Sequence, residues 1–361
     1  QRPLVAMLAC RAGSLASSGL APARLVGNAA RSPSLTSCCR TGTAIAATVT
    51  SALLPRRVTR MSCRTVSSSS EGMGAAAAES TLSRAGLEVE LVSCLSDNYC
   101  PVIHHKSSGA TIAMDTPEAG PIARAVRSRG WTLTHILNTH YHSDHVGGNL
   151  DLKAEFPDVQ IVGHRSQDCE YPGPYPPPGL ENETIPGIDL EVGEGAEVMC
   201  GALRARVLEV GGHTAAHIAY FFPEVPMVLT GDALFTMGCG RVFTGNFAQM
   251  QASLSKLRQL PDETVVFCSH EYTKSNVEFA VQVEPQNAAL LARRSQVHQL
   301  RDANAATVPT IMGHEKATNP FLRWDVPDVQ QAAGGLTDPV AVFTAIRRWK
   351  DTGTKPASAR L

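Results

Sequence analysis

The stretch THYHSDHVGGN, residues 139–149, places three histidines and an aspartate within six consecutive positions. A buried core gains nothing from such crowding, because each buried polar group needs a partner. Imidazole and carboxylate groups are, in contrast, common ligands of divalent transition metals. The preceding LTHILNT is predicted to be a strand, so the cluster is expected on a loop at the rim of a sheet. We interpret it as a metal site.

The spacing within this stretch indicates more than one ion. Side chains alternate along an extended loop, so His140 and His142 are expected to bind one metal from the same side. Asp144 and His145 follow at the start of a predicted helical turn and are expected to reach toward a second metal. An HExxH helix would instead place two histidines one turn apart.

Three later segments each end a predicted strand with a ligand-type residue. They are His213 in VGGHTAAH, Asp232 in VLTGDALF and His270 in VFCSHEY. We therefore predict two divalent ions per chain, zinc with iron or manganese as alternatives, bridged by Asp232. The two groups predicted to hold them are His140, His142 and His213, and Asp144, His145 and His270. Asp144 and Asp232 are the candidate catalytic residues.

The N-terminal segment differs in composition from the rest of the chain. Residues 1–70 contain nine arginines and no lysine, aspartate or glutamate. With its Ser and Ala content, the segment 1–80 is predicted to be a disordered organellar transit peptide, a plain linker being the alternative. A mitochondrial destination is expected, with the plastid as the alternative. An internal start at Met61 or Met73 would give a cytosolic form.

The remaining chain is acidic, which argues against nucleic acid or an anionic membrane as a partner. No apolar run reaches the roughly 18 residues of a membrane span. Six scattered cysteines are expected to be buried thiols rather than disulfides.

Mixed strands and helices are predicted for 87–272 and mainly helices for 273–361, with YPGPYPPPG as a surface loop. A monomer is expected.

These motifs resemble a known family. THYHSDHVGGN matches the THxHxDHxGG marker of the metallo-β-lactamase superfamily. Within it, LSDNYC, GDALFTMGCGRVF, CSHEYTKSNVEFAVQVEPQN and EKATNPFLR resemble glyoxalase II, the hydroxyacylglutathione hydrolases. The resemblance runs from Leu87 to Lys355. It implies a four-layer αββα sandwich over 87–272, followed by a small helical domain over 273–361 that binds glutathione.

The resemblance also implies a reaction, the second step of methylglyoxal detoxification. S-D-lactoylglutathione would be hydrolysed to D-lactate and glutathione by a hydroxide that two metals activate. Arg241 and Arg323 would hold carboxylates of glutathione, and Tyr272 would contact the tripeptide. Phe243 departs from the family, since many members have a tyrosine there, and it removes one hydroxyl from the expected pocket.

Two other functions fit parts of the pattern. A persulfide dioxygenase of the same superfamily would use one iron, but such chains lack the VEPQN and TNPFLR region present here. A non-catalytic member would be expected to have lost a ligand, especially at Asp232, and all seven are present. The sequence therefore favours the thioester hydrolase.

Overall fold

The computed structural model of the protein describes residues 73–164 and 184–357. The proline-rich YPGPYPPPG and most of the segment 1–80 lie outside them. Six strands form a first sheet in chain order, antiparallel from β1 to β3 and parallel from β3 to β6. They are β1 (Leu87–Cys94), β2 (Asn98–His105), β3 (Thr111–Met114), β4 (His135–Leu137), β5 (Gln160–His164) and β6 (Leu190–Val192).

A second six-stranded sheet and a short hairpin follow. The sheet strands are β7 (Glu197–Cys200), β8 (Leu203–Glu209), β9 (Ile218–Phe222), β10 (Met227–Gly231), β13 (Val265–Cys268) and β14 (Thr310–Ile311). Their spatial order is β14-β13-β10-β9-β8-β7, and only β10 and β13 pair in parallel among them. β11 (Leu234–Phe235) and β12 (Gly238–Cys239) form the hairpin.

Ten α-helices and a 3-10 turn at Pro320–Leu322 complete the described part. The helices are α1 (Met73–Arg84), α2 (Ala119–Ser128), α3 (Ser143–Val146), α4 (Asn149–Glu155), α5 (Phe247–Arg258), α6 (Thr273–Val283), α7 (Ala288–Asp302), α8 (Met312–Thr318), α9 (Pro327–Ala332) and α10 (Pro339–Thr352). In the described residues, no helix has both the length and the apolar character that crossing a membrane requires.

The two sheets pack face to face, with helices on their outer faces. In β3, Ile112 joins the core between the sheets while its neighbour Ala113 joins a second core under α2. In β10, Leu229 joins the core between the sheets and Val228 joins a third core under α5 and α10. Successive side chains along each strand therefore point into different cores, so both faces of each sheet are buried. This arrangement is the four-layer αββα sandwich that the family resemblance implied.

The folded part begins earlier than the sequence analysis expected. The helix α1 starts at Met73, so residues 73–80 do not belong to a disordered tail. Ala78 and Leu82 are buried and pack into the core between the sheets. The run MGAAAAES was assigned to the disordered segment because it is rich in small residues, but alanine is also the strongest helix former.

The strand β2 was not among the individually predicted strands, and it contains Pro101, although proline is rare inside sheets. β2 pairs with β1 along its whole length, whereas its partners in β3 begin only at Val102. The proline therefore lies beyond the β2–β3 ladder. The strands predicted before the histidine cluster, before Asp232 and before His270 are present as β4, β10 and β13.

Candidate metal centre

The loop after β4 and three other strand ends converge on one rim of the sandwich. The loop carries His140 and His142 and runs directly into α3, which carries Asp144 and His145. His213 lies between β8 and β9, while Asp232 and His270 follow β10 and β13. The structure thus brings together all seven predicted ligands, named here the seven-residue cluster.

The first ligand group consists of His140, His142 and His213. His142 Nδ1 lies 2.9 Å from His140 Nε2 and 3.1 Å from His213 Nε2. Two nitrogens that each bind a tetrahedral ion at about 2.0 Å lie roughly 3.3 Å apart. The three rings are therefore spaced as ligands of one ion would be, and they form a group able to hold a metal.

The second ligand group consists of Asp144, His145 and His270. Asp144 Oδ2 lies 3.6 Å from His145 Nε2 and 3.5 Å from His270 Nε2. These atoms are also close enough together to hold an ion. The adjacent residues Asp144 and His145 take part in this group, as the sequence predicted.

Asp232 lies between the two groups. Its Oδ2 is 3.4 Å from His213 Nε2, while its Oδ1 is 3.4 Å from His270 Nε2 and 3.6 Å from His145 Nε2. Asp232 Oδ1 and His145 Nε2 are buried without a hydrogen-bond partner among the described residues. Buried polar atoms without partners are costly, so the cluster is well suited to cations that both groups and the bridging carboxylate would share.

Two carboxylates and one backbone carbonyl fix the orientation of three of the histidine rings. His145 Nδ1 lies 2.8 Å from Asp115 Oδ2, and His270 Nδ1 lies 2.8 Å from Asp97 Oδ1. His213 Nδ1 lies 2.8 Å from the carbonyl oxygen of Arg241. These partners leave each Nε2 to face the cluster, which is a common arrangement around metal sites.

Asp97 and Asp115 were missed by the sequence analysis. Asp97 stands in LSDNYC, which was noted only for family likeness, and Asp115 ends a strand as a single acid among apolar residues. Asp115 is fully buried and has a φ of 52°, an uncommon conformation for a residue other than glycine. The one available signal was its position at a strand end.

Burial and mutual repulsion keep the first ligand group neutral. Burial lowers the pKa of His140 and His213 well below the usual histidine range and lowers the pKa of His142 to about 4. Neutral imidazole is the form that binds metals. Burial also raises the pKa of Asp232. For His145 burial acts in the lowering direction, but the nearby carboxylates, Asp232 first, raise its pKa to about 9.

His217 supports the cluster without belonging to either ligand group. Its ring stacks on His140 with a centroid separation of 4.6 Å, and its Nε2 accepts the backbone N–H of Asp232 at 3.3 Å.

A cavity of about 450 Å³ opens onto the cluster. Phe235 and Phe243 contribute apolar wall, and the helices α6 and α10 contribute polar side chains. Three of the lining residues carry cationic groups, and they are Arg241, Arg347 and Lys350. Burial, and then the neighbouring Arg347, lower the pKa of Lys350 to about 7.

Two of the three predicted substrate contacts line this cavity. Arg241 lies there with a largely exposed side chain, 3.7 Å from Asp351. Tyr272 stacks on His270 at a centroid separation of 4.7 Å.

The third predicted contact, Arg323, is not one of the described residues that line the cavity. Its guanidinium donates to both carboxylate oxygens of the buried Glu284, at 2.8 and 2.9 Å. Sequence reasoning could not foresee this partner, which is distant along the chain. The cations missed are Arg347 and Lys350, three positions apart on α10 and so on one helix face.

Comparison with known proteins agrees with this geometry. The model of the metallo-beta-lactamase superfamily matches residues 108–270, and that of the hydroxyacylglutathione hydrolase C-terminus matches residues 271–353. A hydroxyacylglutathione hydrolase of Rhodopseudomonas palustris (strain BisA53) is 47% identical over 265 residues, which cover 73% of this chain and 98% of the relative. One of Methylococcus capsulatus (strain ATCC 33009 / NCIMB 11132 / Bath) is 46% identical over 267 residues, with the same coverage.

Among solved structures, the crystal structure of the BLEG-1 B3 metallo-beta-lactamase aligns with a TM-score of 0.49 and 18% identity, covering 66% of this chain and 99% of that chain. The two family models together span the described sandwich from β3 onward and the C-terminal helices. From the two family models and the two hydrolase relatives, the chain belongs to the hydroxyacylglutathione hydrolase family of the metallo-beta-lactamase superfamily.

Proposed function

We propose that this protein hydrolyses S-D-lactoylglutathione to D-lactate and glutathione. The observation that carries the proposal is one cavity that joins a carboxylate-bridged pair of ligand groups to three cationic side chains. Both features suit a thioester of an anionic tripeptide, because the ions would activate water and the cations would pair with its carboxylates. The names of the curated relatives support the same activity.

The seven-residue cluster is proposed to hold two divalent ions, zinc with iron or manganese as alternatives, since its donors are imidazole and carboxylate without thiolate. When bound, such ions act as Lewis acids, which make water nucleophilic near neutral pH and stabilise negative charge on a carbonyl oxygen. Asp232 would be shared between the two groups. Asp144 and Asp232 would help to hold the ions. Of the two protons of the attacking water, one would end on the departing thiolate and the other would be released to solvent.

The rest of the cavity is proposed to bind the glutathione portion. Glutathione carries two carboxylates, and Arg241, Arg347 and Lys350 supply opposite charge. Tyr272, whose ring stacks on His270, lines the cavity where it would contact the tripeptide. Phe243 contributes apolar surface at the position where the family resemblance led us to expect a tyrosine. In the reaction a carbon–oxygen bond forms, the carbon–sulfur bond breaks, and the sulfur leaves as a thiolate that is later protonated.

The test is hydrolysis of S-D-lactoylglutathione by the full chain. The reaction is monitored as the loss of thioester absorbance, and the metal content is measured on the same sample. Asp232→Asn should abolish turnover, whereas Asp189→Asn, which alters a carboxylate bonded to Lys153 away from the cavity, should not. A sample with two metals per chain and no thioesterase activity would overturn the proposal. One iron per chain with oxygen consumed on glutathione persulfide would assign the protein to the dioxygenases instead.

We also propose that the arginine-rich segment before α1 directs the protein to the mitochondrion. Its nine arginines and lack of acids within residues 1–70 support this. A fluorescent protein fused after residue 72 should accumulate in mitochondria. Accumulation in plastids would establish the alternative, and a cytosolic signal would contradict targeting.

A further inference from the structure

The β11–β12 hairpin connects the metal centre with the substrate cavity. Asp232 lies two residues before it, and Arg241 lies two residues after it. The hairpin has only two residues in each strand. The few hydrogen bonds between its two strands are too weak to fix the position of such a short hairpin. Its position therefore depends on contacts with neighbouring residues.

Two buried side chains of the C-terminal helical region hold the backbone of this hairpin. Glu315 Oε2 accepts the N–H of Met237 at 2.7 Å. Asn319 Nδ2 donates to the carbonyl oxygens of Gly238 at 3.0 Å and Phe235 at 3.3 Å. Both side chains are fully buried, so these bonds are made away from water and fix the hairpin backbone at three points.

Glu315 and Asn319 are themselves held in place. Glu315 Oε1 accepts from Arg293 at 2.9 Å and from the hydroxyl of Thr310 at 2.8 Å. Its Oε2 also accepts from Asn319 Nδ2 at 3.1 Å. Asn319 Oδ1 accepts the N–H of Phe321 at 3.0 Å. The pair therefore forms a rigid support, since each polar atom is used.

Movement of the hairpin would reach the cavity directly. Phe235 and Cys239 line the cavity from within the hairpin, and Gly240 and Arg241 continue that wall. The backbone is closely packed at Gly240, where an added Cβ would lie 2.2 Å from the carbonyl oxygen of Asp232. Neither Glu315 nor Asn319 is among the described residues that line the cavity.

We propose that Glu315 and Asn319 are positioning residues for substrate binding, which act through the β11–β12 hairpin. The inference rests on the proposed thioester hydrolysis. It gives the C-terminal helices a second role, because besides supplying cations they fix the cavity wall contributed by the catalytic sandwich.

The test is steady-state kinetics of the full-length, metal-loaded protein with Glu315→Gln and with Asn319→Asp. The first replaces a carboxylate oxygen that accepts hydrogen bonds with an amide N–H, and the second removes both N–H donors to the hairpin while keeping the acceptor for Phe321. KM for S-D-lactoylglutathione should rise about tenfold, as a misplaced binding wall predicts. kcat should stay within about twofold, and metal content should be unchanged because the seven-residue cluster is intact.

Glu284→Gln is the matched control. Glu284 is also a buried carboxylate paired with an arginine of the same helical region, and its bonds go to Arg323 rather than to the hairpin. It should lower the melting temperature as the test variants do but leave KM unchanged. If the test variants fail to fold, Thr310→Val removes one bond to Glu315 and should raise KM about two- to threefold.

The binding of S-methylglutathione, measured by calorimetry, separates this inference from the proposed function. A wild-type protein that binds this probe without hydrolysing the thioester would refute the proposed function, while a weaker Kd in the two variants would still support positioning. Unchanged KM and Kd in folded variants would overturn the inference. An equal rise of KM in Glu284→Gln would also overturn it, since the effect would then come from general destabilisation.

Discussion

The carboxylate of Asp115 lies 2.8 Å from Nδ1 of His145, and neither side chain is exposed to solvent. The same carboxylate accepts the backbone N–H and the hydroxyl of Thr139 and the hydroxyl of Ser269. Asp115 thus ties the loop after β4 to the loop after β13. It fixes the ring of His145, whose Nε2 is one of the donors of the second ligand group, so it should control metal affinity without binding metal itself.

Asp115→Asn should therefore weaken metal binding by about 10- to 100-fold, as expected when an orienting carboxylate is lost. The amide supplies one acceptor oxygen and places an N–H against donors. Competition with a chromogenic chelator measures the affinity. Asp189→Asn is the control, because Asp189 also accepts a backbone N–H, that of Ile161, at a sheet rim remote from the cluster. Equal affinities in the two variants would contradict the role of Asp115.

Arg241 and Arg323 should behave differently although both were predicted to bind glutathione. Arg241→Gln should raise KM for the thioester by about tenfold, a typical loss for one charge-assisted contact, and leave the melting temperature unchanged. Arg323→Gln should leave KM unchanged and lower the free energy of unfolding by about 3 kcal/mol, because it leaves the buried Glu284 without its partner. A raised KM in a stable Arg323→Gln protein would restore the original prediction.

Lys350 predicts a dependence of substrate binding on pH. Burial, and then the neighbouring Arg347, lower its pKa to about 7, so its charge is present below that pH and lost above it. KM for the thioester should therefore rise between pH 6 and pH 8, as one cationic contact of the cavity disappears. Lys350→Arg keeps its charge throughout, and its KM should stay flat over this range. A wild-type profile parallel to that of Lys350→Arg would exclude Lys350 as the titrating group.

The predictable and unpredictable parts of the site differ in how far apart the interacting residues lie in the sequence. His140, His142 and His145 are close neighbours along the chain, so local spacing was sufficient to predict how they converge. Asp232 could be predicted because it directly follows a strand. Asp115, however, acts through a pairing with His145 that exists only once β3 and β4 lie side by side. No local pattern encodes that contact.

The same reasoning explains the errors outside the cluster. Arg323 was placed in the cavity because of the motif around it, yet its direction is set by Glu284 at the end of α6. Lys350 and Arg347 lie outside the motifs that carry the family resemblance, and their place in the cavity wall depends on how α10 packs. β2 contains Pro101, which lies beyond the β2–β3 ladder and therefore does not interrupt it. For Arg323, a tertiary partner therefore overrode what the local motif predicted.

The boundary of the folded part can be tested through α1. Leu82 is buried against the core between the sheets, within a helix that the sequence analysis had assigned in part to the tail. Leu82→Ala should lower the free energy of unfolding by about 3 kcal/mol, because it removes buried methyl groups and leaves a cavity. Leu300→Ala, at a site 40% exposed on α7, should change it by less than about 0.5 kcal/mol. Urea unfolding of both variants measures the two free energies of unfolding. Equal changes would contradict the packing of α1 against the core, because shortening Leu82 outside the core would remove no buried contacts.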